Sequence, residues 1–417
     1  MADHEVADIV NKEWKAADAV NNPDRWIHRL TPEELEGFDH ALKTTLAKGH
    51  KGCETMTKED FPLNKAASDV LALVLEKLEN DMGMYVLRGI PVQNYTKDEL
   101  RMMYWGLGLH MGTSVSQSGK GDYIGDVKNF GDKIDAWSHS GRGYMSRKRL
   151  EFHSDSADVV SLLVLNTAKE GGLSKICSAI AVRNEIARKR PDLLKVLYED
   201  FYWSWKGYEK KGERPWYHYP MYSDCDGRFS CRKILPHIFS GQDFPDVPRL
   251  TDQQKEALAY IDEVTNDETL YFSMMFEPGD IQFLNNHITH HARSEFLDGD
   301  TMETRRHLLR LWLAPKNSRP LSPRLKDFYQ DGSSGACSSL VAIVEEDKDE
   351  EEEEKMAGRE KEEEVRVEVL IEVVVAVMAE EESYKTKPFL LQPCRTRAQN
   401  DSEIGERANP NDSAQTS

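Results

Sequence analysis

Long apolar runs are missing from this chain of 417 residues, in which no stretch of 18 or more apolar residues occurs, so no membrane-spanning helix is predicted. The nearest approach, Val365–Ala379, is broken by Arg366, Glu368 and Glu372. The N-terminal segment mixes charges with short apolar residues and lacks an apolar h-region, so no signal peptide is predicted. Cysteine is sparse: Cys53, Cys177, Cys225, Cys231, Cys337 and Cys394 show neither the CxxC spacing of a zinc site nor the density of a disulfide scaffold. Cys225 and Cys231 are close enough in sequence to raise a disulfide or metal pair, but reduced thiols are the simpler reading, and a cytoplasmic protein is expected. Positive charge is also in deficit, with 54 Lys+Arg against 73 Asp+Glu and a net charge of −19, which excludes nucleic-acid binding through a general basic surface. The glycine-rich Ser116–Gly121 lacks the GxxxxGK[ST] pattern and is no phosphate loop. No repeat of 20–50 residues is visible.

What is present, 39% hydrophobic and 30% charged residues, is the composition of a soluble globular protein. The acidity is uneven. Glu345–Ser417 holds 22 acidic and 10 basic residues, a net −12, which leaves −7 for residues 1–344. Within it Glu345–Glu364 has 13 acidic against 4 basic residues, a self-repelling block expected to be disordered. The Ser/Pro/Gly-rich stretch from Ser318 to Ser339 reads as part of a linker over 317–344, and 345–417 as a tail without a catalytic part; a mispredicted exon is the other reading of that tail.

Ahead of the linker, Thr31-Pro32-Glu33-Glu34 opens a helix with a capping box. Val70, Leu71, Val74, Leu75 and Leu78 repeat at helical spacing. Met84–Gly89, Val159–Leu165, Thr269–Phe276, Ile281–Leu284 and Leu308–Leu313 read as strands, with Asp126-Val127 in a further short one. Ala179–Arg188, Asp192–Asp200 and Thr251–Val264 read as helices. Many short strands with inserted helices predict a mainly β, two-sheet architecture rather than βαβ alternation.

The segment richest in chemistry is Phe152-His153-Ser154-Asp155. Residues i and i+2 of an extended chain share a face, so His153 and Asp155 can aim an imidazole and a carboxylate at one point. A buried histidine hydrogen-bonded to a neighbouring aspartate is an equal reading of that tripeptide alone. Asn285–Arg293 offers His287, His290 and His291 as a third ligand. Two histidines and one carboxylate on one face of an iron leave positions for a chelating cosubstrate and oxygen. In Arg305–Leu313, Arg306 and Arg310 stand four apart and share one face of a strand. A guanidinium aimed into a core is costly unless it meets a carboxylate, either a core acid or a bound ligand.

Taken in order, His153-Ser154-Asp155, Gly171-Gly172-Leu173-Ser174, Pro278-Gly279-Asp280 through His291-Ala292-Arg293, and Arg306–Arg310 resemble the TauD/TfdA-type (clavaminate synthase-like) iron(II)- and 2-oxoglutarate-dependent dioxygenases, over roughly residues 80–315. The resemblance implies a double-stranded β-helix, or jelly roll, over 81–316, with residues 1–80 as a polar, helical extension packed on it. It implies Fe(II) on His153, Asp155 and His291, the last because it begins the His-x-Arg element and lies 15 residues before Arg306. His290 would then face the opposite side if the strand continues, while His287 could line the site. Ser174 and Arg306 match the residues that hold the distal carboxylate of 2-oxoglutarate. Arg310 is similar to an arginine facing an anionic group of cosubstrate or substrate, and Arg293 is placed to orient ligands or pack at the mouth. Oxygen is the second cosubstrate, and succinate and carbon dioxide are the coproducts. The carboxylate of Asp155 argues against halogenation, because halogenating relatives lack it.

On the substrate side, Gln117 and Asn129 are candidate contacts, with loop hydrogen bonding the alternative. Arg147, Lys148 and Arg149 form either an attracting cluster or a solvated one; Trp203, Trp205, Trp216 and Tyr217 form either a lid or ordinary packing. The implied substrate is a small polar molecule of carboxylate or amino-acid character, oxidised by hydroxylation, desaturation or oxidative ring closure. The motifs look closer to relatives in fungal secondary metabolism. No nucleic-acid or membrane partner is expected, and homo-oligomerisation is left open. The rival reading is a catalytically silent jelly roll acting as a scaffold through its acidic tail.

Overall fold

The computed structural model describes residues 11–50, 52–53, 55–117, 122–130, 143–207, 209, 212–301 and 304–325. These fall in the first of two compact units, Met1–Glu351. The acidic block, Val365–Ala379, Cys337 and Cys394 lie outside the described residues.

Two β-sheets organise the chain. The larger is seven-stranded, in the order Ile27–Arg29, Met84–Arg88, Ile281–Asn285, Val159–Asn166, His307–Ala314, Thr113–Val115, with Ile124–Lys128 also paired to His307–Ala314. The smaller is four-stranded, in the order Tyr271–Met274, Ser174–Ser178, Thr289–Arg293, Leu150–His153. Interleaving of sequence-distant strands in both sheets is the jelly-roll arrangement. Ile27–Arg29 joins the larger sheet parallel to Met84–Arg88, so chain from before residue 81 contributes a strand.

The strand His307–Ala314 shows why the apolar runs lack alternation. Leu308 and Trp312 enter the core between the sheets, with Val160, Val164, Ile176 and Ala292. Leu309, Leu311 and Leu313 enter a second core with Phe38, Leu42, Val70, Val74, Leu100 and Leu107, which come from the helices Pro32–Ala47, Lys65–Asn80 and Lys97–Met111. Both faces of this sheet are covered, so its inner strands read as continuous apolar runs. Each fully buried Leu adds about 1.5–3 kcal/mol. A polar residue in such a run, such as Arg310, therefore stands out as a departure that needs a partner.

The helices begin where the sequence says. Thr31 accepts from Glu34 N while the Glu34 carboxylate accepts from Thr31 N, and Thr96–Glu99 and Thr251–Gln254 repeat the pattern. One expected helix is corrected: Pro191–Leu197 is helical, but Asp200–Ser204 is a strand paired with Trp216–Pro220. This hairpin carries the aromatic cluster, and its rings are core. Trp203 stacks on Tyr219 and Trp205 packs 4.1 Å from Tyr217, all four buried, so they form packing rather than a lid. Among the described residues no disulfide joins Cys53, Cys177, Cys225 and Cys231, and no helix is long and apolar enough to cross a membrane.

Candidate active site

Antiparallel pairing of Leu150–His153 with Thr289–Arg293 sets His291 directly opposite His153, with their ring centroids 4.3 Å apart. Asp155 lies just past the strand end and returns to the same side, its Oδ1 3.6 Å from His153 Nε2 and its Oδ2 4.0 Å from His291 Nε2. Ligand atoms from the three side chains lie within 4.8 Å of one another, the one such cluster among the described residues. His153 Nδ1 donates to Glu151 O at 2.8 Å, which leaves Nε2 to face the cluster. Burial pushes His291 down to about 3, helped by His153, and lowers His153 as well. Both rings are therefore held neutral, the form that can ligate a cation. Burial would raise Asp155, but Arg310, the two histidines and Trp312 together outweigh it, and its carboxyl stays below the usual range.

The intervening and neighbouring residues turn away. Ser154 Oγ meets His290 Nδ1 at 3.2 Å, and His290 Nε2 lies 3.4 Å from Cys231 Sγ. His287 does not line the cluster: its Nε2 bonds Asp158 Oδ1 at 2.9 Å and it borders a separate small cavity with Ser223, Ser230 and Arg232. The expectation that His287 could line the site is thereby corrected. His287 sits in the turn that joins Ile281–Asn285 to Thr289–Arg293.

The cluster opens into a cavity that is also lined by Ser174, Gln282, Arg293, Arg306, Arg310 and Tyr144. Arg306 is 4% exposed, its Nη1 has no hydrogen-bond partner, and it forms no ion pair with any described residue. Burial, then the neighbouring Arg293, push its pKa down to about 9. Gly172, at φ +71°, lets the chain pass against the Arg306 side chain. Ser174 Oγ donates to Gln282 Oε1 at 3.2 Å beside it. Arg293 donates from Nη2 to the carbonyls of Ser146 and Lys148, leaving Nε and Nη1 unpartnered, and burial brings its pKa down to about 10. Both guanidiniums stack over the Phe296 ring, at 4.8 Å for Arg293 and 5.2 Å for Arg306.

Arg310 is already engaged. Its Nε donates to Gln117 Oε1 at 2.6 Å, its Nη1 lies 3.5 Å from Asp155 Oδ2, and it sits over the rings of Tyr144 and Trp312 at 4.4 and 4.7 Å. Gln117 Nε2 donates to Arg310 O and Tyr123 O. Asn129 is not on the cavity wall; its amide donates to Asp298 Oδ2, whose other oxygen accepts from Arg306 N. Arg149 pairs with Glu151 at the exposed surface, the solvated alternative for that basic segment.

A profile of the taurine catabolism dioxygenase TauD, TfdA family matches residues 47–312, which contain all of these groups. The chain belongs to this family. It is therefore a non-haem iron dioxygenase, whose cofactor is Fe(II) and whose cosubstrates are 2-oxoglutarate and oxygen. It is 32% identical over 272 residues to FR-33289 synthase of Streptomyces rubellomurinus, covering 63% of this chain and 78% of that protein. It is 31% identical over 270 residues to the taurine hydroxylase-like protein SAT17 of Stachybotrys chartarum, covering 61% of this chain and 67% of that one. Its fold is similar to an asparagine oxygenase solved with Fe(II), 2S,3S-3-hydroxyasparagine and succinate, at TM-score 0.54 and 14% identity over 74% of this chain and 98% of that one. It is likewise similar to the non-heme iron oxygenase OrfP with Fe and alpha-ketoglutaric acid, at TM-score 0.52 and 15% identity over 74% and 98%.

The cluster of this TauD/TfdA dioxygenase fits such an iron on its own chemistry: two neutral imidazoles, one ionised carboxylate and a buried arginine lacking an anion in the same cavity. Sequence reasoning missed Trp312, whose Nε1 donates to Asp155 Oδ2 at 3.0 Å, and Tyr144. Trp312 was detectable, because it stands two residues beyond Arg310 on the same face of a strand. Gln282 was also detectable as a polar residue in a wholly buried strand. Nothing local marks Tyr144.

Proposed function

We propose that this dioxygenase oxidises a small polar substrate of carboxylate or amino-acid character, by hydroxylation, desaturation or oxidative ring closure. His153, Asp155 and His291 would hold Fe(II), and Arg306 with Ser174 would hold the distal carboxylate of 2-oxoglutarate. The observation that carries this reading is Arg306: a buried guanidinium without a counter-ion, facing the same cavity as three ligand-competent side chains. Leaving such a charge unpaired costs several kcal/mol, which a dicarboxylate would offset. The bound iron, cosubstrate and oxygen supply the oxidising chemistry, with succinate and carbon dioxide released.

The chain's own residues supply order. His153 is oriented through Glu151 O, Asp155 through Asn286 Oδ1 on its backbone N–H and Trp312 on its carboxylate. The lining brings Ser174, Gln282 and three arginines to the cluster, which suits a small polar, anionic molecule beside the cosubstrate. The asparagine oxygenase complex and OrfP bound to L-Arg support an amino-acid-like substrate, and the Streptomyces and Stachybotrys relatives support a setting in secondary metabolism. In this reading the catalytic jelly roll spans 81–316 with Ile27–Arg29 added to its larger sheet, residues 345–417 take no part in turnover, and the enzyme is cytoplasmic.

Succinate release with Fe(II), ascorbate and 2-oxoglutarate, screened over amino acids and organic acids, tests it. Wild type should couple succinate formation to one of them, and His153→Ala should abolish it. Full activity in His153→Ala would sink the assignment of His153 as a ligand, whereas no iron bound by wild type would favour a silent scaffold.

A further inference from the structure

Asp155 is the only acidic group of the cluster, and its two oxygens are not equivalent. Oδ2 accepts from Trp312 Nε1 at 3.0 Å and has Arg310 Nη1 at 3.5 Å. Oδ1 has neither of these donors and faces His153 Nε2 at 3.6 Å. Arg310 is itself fixed from three directions. Gln117 accepts from its Nε and donates to its backbone carbonyl, while the rings of Tyr144 and Trp312 cover the guanidinium. Arg310 and Trp312 stand on one face of the same strand, and Asp155 follows the end of a strand in the other sheet. The network therefore ties the carboxylate of one sheet to the rigid frame of the other.

We propose that Arg310, Trp312 and Gln117 are positioning residues that act on the metal through Asp155. The guanidinium has its Nε bond satisfied by an uncharged amide, so its charge is left for Asp155 alone among the described carboxylates. The Trp312 hydrogen bond and the Arg310 charge 3.5 Å away both act on Oδ2, restrict rotation of the carboxylate and leave Oδ1 turned toward His153 Nε2. Losing an outer partner of a metal ligand typically weakens metal binding roughly 10- to 100-fold. Freedom to rotate about χ2 would let Asp155 fall back onto Arg310 or the histidines in other orientations, and the cluster would meet a cation less often in the right geometry.

This inference rests on the proposed iron site, and the experiment separates the two. Apoprotein is titrated anaerobically with Fe(II), and with Co(II) for its d–d spectrum, in the absence of 2-oxoglutarate and substrate. Wild type, His153→Ala, Arg310→Met, Trp312→Phe and Gln117→Leu are compared, counting variants whose circular dichroism and melting transition match wild type. Arg310→Met and Trp312→Phe should each bind metal roughly 10- to 100-fold more weakly and shift the Co(II) bands, with Gln117→Leu between them and wild type. Metal binding within twofold of wild type in Arg310→Met, or in Trp312→Phe where Arg310→Met does not fold, overturns the proposal; Arg310 would then act on an anionic substrate, seen as a raised KM alone. No metal binding by wild type, or undiminished binding by His153→Ala, fails the iron reading itself.

Discussion

His153 and His291 are cross-strand neighbours, each the other's register partner in the smaller sheet, although the whole insertion with its helices and the aromatic hairpin lies between them in the chain. Their facing rings create one side of the cluster, and the turn from His153 to Asp155 closes it. Everything expected of the site follows from keeping this pair opposed and its surroundings charged as they are.

Arg306 gives the first expectation. Arg306→Leu would remove the proposed charge-assisted contact to the cosubstrate, worth about 2–4 kcal/mol, so the 2-oxoglutarate concentration needed for half-maximal turnover should rise roughly 30- to 1000-fold. The same substitution removes an unpartnered buried charge, so the cosubstrate-free protein should melt at or above the wild-type temperature. Added 2-oxoglutarate should no longer raise that temperature. A marked fall in melting temperature without ligand would contradict the unpaired state of this arginine.

The pH dependence of cosubstrate binding follows from the same group. Arg306 has a folded pKa of about 9 against 12.5 ordinarily, because of burial and then Arg293. Below pH 9 it is protonated folded and unfolded alike, so the cost of burying its charge is fully present. Above pH 9 the folded protein loses that proton first, the unfolded chain holds more protons, and the cost is relieved as pH rises. The carboxylate needs the charged form, so 2-oxoglutarate affinity should decline above about pH 9, approaching tenfold per unit. Calorimetric titrations from pH 8 to 10.5 check this, and a flat profile would refute it.

Gly171 and Gly172 both have φ of +71°, the left-handed region. A Cβ on Gly171 would also collide with the backbone carbonyl of Glu295, across from the Gly171–Phe296 pair. The conformation alone costs an alanine about 1–2 kcal/mol. Gly171→Ala should thus lose at least about 2 kcal/mol in urea unfolding and weaken 2-oxoglutarate binding, since Phe296 supports Arg306. An unchanged unfolding midpoint would show that the turn is not under this constraint.

Asp280 is fully buried and takes a two-pronged bond from Arg88, at 2.8 Å to each oxygen, while its Oδ2 also caps Glu277 N. This pair anchors the Pro278-Gly279-Asp280 turn that launches Ile281–Asn285. Asp280→Ala removes the buried partner and leaves Arg88 only the exposed Glu277, which should cost up to about 3–5 kcal/mol. The double variant with Arg88→Met should cost less than the sum of the two single changes, as a double-mutant cycle would read.

Deletion of residues 345–417 should leave succinate release and the 2-oxoglutarate requirement unchanged, because the family match ends at 312 and every group of the described cavity precedes that residue. Loss of activity on truncation would give the acidic segment a part in turnover.

Much of the fold was legible in the residues. The capping box at Thr31, the amphipathic pattern of Thr251–Val264 and the apolar spacing of Val70–Leu78 placed helices, because those signals act within one or two turns. The break at Leu197 was missed: Asp200–Ser204 becomes a strand because Trp216–Pro220 pairs with it, a partner that no local pattern announces. For the same reason the aromatic cluster could be read as a lid or as core, and stacking of Trp203 on Tyr219 decides for core.

By itself the sequence determined the local chemistry: an imidazole and a carboxylate two residues apart, glycines at left-handed turns, two arginines on one face of a strand. Tertiary structure decided which groups meet. Strand register sets His291 against His153 and leaves His290 to Ser154 and Cys231, and a slip of one residue would exchange those roles. It also decided that Arg306 stays without a counter-ion while Arg310 bonds Gln117 and approaches Asp155. The physical reason is range. Torsion preferences and capping act over a few residues, whereas the charge balance of a buried arginine depends on side chains brought to it by strands more than a hundred positions away.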